Sequence, residues 1–159
     1  EYSSFVDTGR LLWGMDIKPL IQIPRPEKQR ESAKEYLGKV YEMVLEMERS
    51  FKWFRWIPFR ILPRKSKERW TREAFNLTFR AIALFLGSKG VYVSRKEDIA
   101  SAFKKMHAKE KNLCDIISFA LSTWEKWKTK PLSNKETKQL LKNSLVLVKE
   151  LKLLQNAQD

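Results

Sequence analysis

The residues of this chain best equipped for chemistry are basic and aromatic. They are densest in one segment, Phe51-Lys-Trp-Phe-Arg-Trp-Ile-Pro-Phe-Arg-Ile-Leu-Pro-Arg64. Trp53, Phe54, Trp56 and Phe59 interleave there with Lys52, Arg55, Arg60 and Arg64. Cations beside flat rings can stack on nucleic-acid bases and neutralise phosphate, and the same composition suits a membrane interface. A third reading needs no ligand: an inter-helix turn whose aromatics plug the end of a bundle while its arginines stay wet. Arg80 interrupts the apolar run Phe75-Asn-Leu-Thr-Phe-Arg-Ala-Ile-Ala-Leu84. A buried, unpaired charge is costly, so Arg80 either reaches outward or faces a polar cleft and binds an anion. Arg95 and Lys96 follow Ser94 at an expected helix start, where backbone amides and the helix dipole favour anions. The alternative there is a plain solvated first turn.

Catalytic groups are scarce. The sequence has no glycine-rich phosphate loop, no Cys-x-x-Cys pair and no Gly-x-Ser-x-Gly elbow. Its one histidine, His107, stands near an expected helix end, the usual place of a solvated or capping residue. General acid–base work by His107 would need an arginine or acid from another helix. The one cysteine, Cys114, sits in an apolar helical pattern and reads as a small core residue rather than a nucleophile. No metal or other cofactor is expected in this chain. Lysine and arginine number 32 against 19 acids, a net charge of +13. That balance favours polyanions such as nucleic acid, nucleotide phosphates or anionic lipid, although charge-rich surfaces also accompany adaptation to heat. No apolar run approaches the ~20 residues of a membrane span, and a reducing cytoplasm is the expected setting.

The elements that must position these residues are helices. At 159 residues, 43% of them hydrophobic, the chain can bury a substantial core and is not disordered. It opens with a short apolar strand, Arg10 to Trp13, between Gly9 and Gly14. A lone strand of that length leaves its edges unpaired, so residues 1–26 are expected to be the remnant or edge of a preceding domain. Lys18-Pro-Leu-Ile-Gln-Ile-Pro-Arg-Pro26 then forms an extended strap, because proline at three positions forbids helix. Residues 27–159 carry five helical patterns. The first runs from Glu27 to Phe51 with Leu37, Val40, Tyr41, Val44 and Leu45 as its stripe. The second runs from Ser66 to Leu86 with Trp70, Ala74, Leu77, Ala81, Leu84 and Phe85. Ser94-Arg-Lys-Glu97 reads as a capping box that launches the third, through Ile99, Ala102, Phe103 and Met106. The fourth carries Leu113, Ile116, Ile117, Ala120, Leu121 and Trp124. Ser133-Asn-Lys-Glu136 is a second capping box, opening a fifth with Leu141, Leu145, Val148 and Leu151. The expected fold is all-α, an antiparallel bundle of about five helices behind a short N-terminal strand and a proline-rich strap.

A strand reading Gly9-Arg-Leu-Leu-Trp-Gly-Met-Asp-Ile17, a proline-rich strap and a helical domain follow one another in this chain. That order resembles nucleotidyltransferases of the DNA polymerase β superfamily with a C-terminal helical domain, in which a Gly-x-x-Leu-Tyr-Gly-x-Asp-like segment closes the catalytic domain. Leu77-Thr-Phe-Arg80, followed by Gly90-Val-Tyr-Val-Ser-Arg-Lys-Glu-Asp-Ile-Ala100, is similar to the helical domain of aminoglycoside adenylyltransferases. The bundle is also similar to the HEPN domains that partner minimal nucleotidyltransferases. Two departures stand out. The superfamily's Gly-Ser loop and Asp-x-Asp metal pair are absent, and Asp16 and Asp98 cannot replace a pair that holds two magnesium ions. The Arg-x(4–6)-His motif of HEPN ribonucleases is also absent, since Ala100, Ser101 and Ala102 stand where the arginine would.

The resemblance implies a helical accessory domain, without chemistry of its own, that positions nucleotide or acceptor for a nucleotidyltransferase catalytic domain in the same or another chain. Magnesium and a nucleoside triphosphate belong to that longer enzyme. Arg80, Arg95 and Lys96 would form its phosphate-facing wall. The competing expectation is a stand-alone basic module that binds nucleic acid, or a HEPN-type partner of the toxin–antitoxin kind.

Overall fold

A computed structural model describes residues 25–54 and 63–157, and these form helices. They are α1 (Pro26–Phe54), α2 (Arg64–Ser88), α3 (Lys96–Met106), α4 (Lys111–Thr129) and α5 (Asn134–Asn156). The expected strand and residues 18–24 of the expected strap lie outside the described residues; the strap's last residue, Pro26, is instead the first of α1, and no strand occurs among the described residues. Pro26 opens α1, a position where its missing N–H costs nothing. The helix continues to Phe54, so Phe51 to Phe54 are its last turn and not part of an inter-helix loop. α2 begins two residues earlier than the apolar periodicity indicates, at Arg64, and ends two later, at Ser88.

α2 is the central element and touches the other four. Phe75, Ile82, Phe85 and Leu86 on it are fully buried, against Leu37 and Val44 of α1, Phe103 of α3, Ile117 of α4 and Leu140, Leu147 and Leu151 of α5. Burying each such side chain contributes about 1.5–3 kcal/mol. The helix stops in a Schellman turn: the Val91 N–H donates to the Leu86 carbonyl at 3.0 Å and the Gly90 N–H to Gly87 at 2.9 Å. Gly90 has φ +82°, in the region that favours glycine, and the Arg30 guanidinium lies over it.

The pairing directions correct one expectation. Ala33 near the start of α1 packs against Gly87 near the end of α2, so these two helices are antiparallel. Trp124 and Trp127 late in α4 meet Phe75 at the middle of α2, at 5.2 and 5.4 Å between ring centroids, while His107, just ahead of α4, packs on Phe85 near the end of α2, so α4 is antiparallel to α2 as well. α5, however, runs parallel to α2. Thr71 faces Thr137 with hydroxyls 3.3 Å apart, and seven residues further along both helices Thr78 faces Ser144 at 2.7 Å. Periodicity defines a helix's faces and not its direction. The α3–α4 hairpin supplies the long return that lets α5 start beside the start of α2.

Two smaller corrections concern α3. Its cap position is Arg95 rather than Ser94, no side chain caps it, and the expected Ser94–Glu97 box does not form. Met106, expected in its apolar stripe, is 44% exposed. The second box is present: Ser133 and Glu136 cap each other reciprocally at the start of α5.

Candidate anion-binding surface

Arg80 is exposed although Leu77, Thr78, Phe79, Ala81 and Ile82 around it are all buried. The helical rotation of about 100° per residue explains both facts. Most of the circumference of α2 is covered by its neighbours, and Arg80 falls on the uncovered arc. Lys65, Arg69, Arg72 and Asn76 share that arc and are also exposed. Their spacing from Lys65 is four, seven and eleven residues, with Arg80 at fifteen, which keeps all five within an arc of roughly 80°. Lys65, Arg69, Arg72 and Arg80 form no ion pair with another described residue. Glu73 lies at the edge of the arc and is exposed too. Arg64 is different, because its Nε donates to Glu68 Oε1 at 2.9 Å.

Lys96 and Arg95 part company. Arg95, at the cap of α3, is exposed. Lys96 is half-buried, its ammonium 4.0 Å from the centroid of the Trp124 ring and 5.6 Å from that of Phe79. A cation so placed over indole contributes about 0.5–2 kcal/mol. Lys96 thus reaches α2 at the residue before Arg80 in sequence, but about 100° around the helix from it. Lys128 approaches the same indole at 5.8 Å while bonded to Glu125 at 2.7 Å, with Glu97 at 4.0 Å. Of the aromatic–basic segment, Lys52 and Trp53 lie in the last turn of α1. Arg55, Trp56 and Arg60 lie outside the described residues.

His107 follows the last residue of α3 and packs tilted against Phe85 and nearly flat on Phe103, with centroids 5.2 and 5.0 Å away. Burial pushes its pKa below the ordinary 6.5; nearby Glu110 opposes this and Lys89 adds to it. The Cys114 thiol donates to the His107 carbonyl at 3.5 Å, so the two side chains are not a nucleophile–base pair. No three or more His, Cys, Asp or Glu residues cluster as a metal site among the described residues. A shallow depression on α1, lined by Glu35, Gly38, Lys39, Glu42 and Met43, carries two carboxylates and is a poor place for an anion.

Exposed cations of this kind attract anions such as phosphate. The contributions of Lys65, Arg69 and Arg72 were missed in the sequence. Their signal was present as basic residues at helical spacing from Arg80. No helix among the described residues is long and apolar enough to cross a membrane. No protein-family model, curated protein or solved structure matches this chain.

Proposed function

We propose that this helical bundle is a phosphate-binding accessory domain, one that holds a polyanionic substrate for a catalytic domain of the nucleotidyltransferase type. The observation that carries the reading is the solvent face of α2, where Arg80 and three further cations stand exposed with no described acid paired to them. The charge of +13 supports it by raising the local concentration of any polyanion. The Leu77-Thr-Phe-Arg80 resemblance supports the attachment to a nucleotidyltransferase, and Arg95 is exposed where that resemblance puts a phosphate contact. Lys96 is a weaker candidate because its ammonium is held over Trp124.

Two measurements test the reading. The purified chain should bind heparin and oligonucleotides at low ionic strength and release them steeply with added salt. Failure to bind any polyanion in low salt would defeat the proposal. Nucleotide affinity of a nucleotidyltransferase containing this bundle should fall on Arg80→Ala with the fold intact. Unchanged affinity there, with polyanion binding retained by the isolated chain, would favour the stand-alone nucleic-acid-binding module instead.

A further inference from the structure

We infer that the solvent face of α2 is a track for the sugar–phosphate backbone of a nucleic acid, with Lys65, Arg69, Arg72 and Arg80 as its contacts. The inference rests on the phosphate-binding reading and narrows its ligand from any polyanion to an extended polymer. Three features of the surface select that ligand. The first is length. Fifteen residues separate Lys65 from Arg80, which at ~1.5 Å per residue places the end cations about 22 Å apart along one straight helix. A duplex strand advances ~3.4 Å per phosphate, so this distance spans roughly six phosphates. A single triphosphate could meet only one or two of the four cations.

The second feature is shape. The cations are strung along a convex helix face and do not converge on a cavity, and each is exposed. A small anion needs converging donors to offset its desolvation, whereas a polymer gains from a row of separate contacts, each releasing counterions. The third is side-chain type. Arginine accounts for three of the four contacts, and its planar fork suits phosphate oxygens. Asn76, between Arg72 and Arg80, adds a neutral donor on the same line. No described residue on this face offers an aromatic platform or a convergent set of base-edge contacts, so the contacts assigned here are to the backbone and carry no sequence preference.

The test uses the full chain and 20-nucleotide DNA and RNA probes, with affinity measured over a range of salt. Replacing Lys65, Arg69, Arg72 and Arg80 together by Gln changes only exposed positions and keeps good helix formers there. Unaltered thermal unfolding confirms that the fold is kept. The variant should lose at least tenfold in affinity near 100 mM salt, and its slope of log affinity against log salt should shrink by about 3. A comparison variant loses the same charge elsewhere, with exposed Lys104, Lys105, Lys109 and Lys111 changed to Gln. It should lose less than threefold and keep its slope. Glu73→Gln, which removes an exposed acid at the track's edge, should tighten binding.

Equal losses in the two four-residue variants would overturn the track while leaving the phosphate-binding reading standing, since the attraction would then be spread over the whole surface. Preference of the wild-type chain for vesicles of anionic lipid over both oligonucleotides would overturn it too. The absence of any polyanion binding by the wild type would instead remove the underlying reading. Binding to DNA and RNA alike is the expected result, because phosphate contacts do not distinguish them.

Discussion

Glu136 ties two elements together, and replacing it separates the parts of that tie. Its carboxylate accepts from the Ser133 N–H at 2.8 Å and the Ser133 hydroxyl at 2.7 Å, while its own N–H donates to Ser133 Oγ at 3.2 Å. It is also ion-paired with Lys126 on α4. The Lys126 ammonium, helped by the Ser133 hydroxyl and N–H, holds the carboxyl at about 2 instead of 4.5. At face value such a displacement is worth about 3 kcal/mol. Solvent reaches 27% of the Glu136 side chain and 39% of that of Lys126, so screening reduces the ion pair to about 1 kcal/mol. Glu136→Gln keeps a side chain that can complete the capping box but removes the pair, and should cost about 1 kcal/mol near neutral pH. Glu136→Ala removes both and should cost about 2 kcal/mol. Because the folded state lowers this pKa, its stabilisation is present above 4.5 and is lost as pH falls toward about 2. The gap between wild type and Glu136→Gln in urea denaturation should therefore close on acidification below 4.5. Equal costs for the two substitutions, or a gap that ignores pH, would refute the division into cap and ion pair.

Burial lowers the His107 pKa, so the unfolded chain takes up the proton first and stability should drop as pH falls through the ordinary 6.5. His107→Phe should flatten that part of the stability–pH curve in thermal unfolding. Ser144→Ala should cost about 1 kcal/mol in denaturant titration, since the Thr78 hydroxyl keeps its bond to the Ala74 carbonyl. Ser144→Leu should cost more than the alanine change, about 2–3 kcal/mol, because a larger side chain must be forced between two touching helices. Gly90→Ala should cost about 1 kcal/mol or more by the same measure, since φ is +82° and a Cβ would come within 2.8 Å of Arg30 Nη2.

What could be read from the sequence, and what could not, follows from how local each determinant is. The five helices were legible because apolar spacing is a property of each segment alone. The Ser133 box was legible because both partners lie within four residues. The Ser94 box has the same spelling and fails. There the helix begins where Lys96 can lie over Trp124, a residue on another element that no local pattern announces. The direction of α5 was equally hidden. Its clue is the hydroxyl residues Thr71, Thr78, Thr137 and Ser144, seven apart on each helix at positions a bundle would fill with aliphatics. In the described bundle they form the only buried polar seam between α2 and α5, and pairing them in step requires the helices to be parallel.

That parallel arrangement bears on Arg80. In the linear sequence Arg80 interrupts an apolar run, which suggested a choice between an anion cleft and an outward escape. Because α5, α1, α3 and α4 all pack on α2, the central helix is apolar around most of its circumference and is left one narrow wet arc. Every charge that α2 carries along its middle must use that arc. The clustering of Arg69, Arg72 and Arg80 is therefore partly forced by packing, but packing does not dictate their sign. Glutamate and glutamine would serve the same arc with equal helix propensity. Lys65, in the first turn of α2, also opposes the helix dipole, and α2 has no acid in that turn. A helix built only for stability would put an acid at Lys65 and would be indifferent to sign at Arg69, Arg72 and Arg80, so the run of cations is the part of the pattern that packing does not fix.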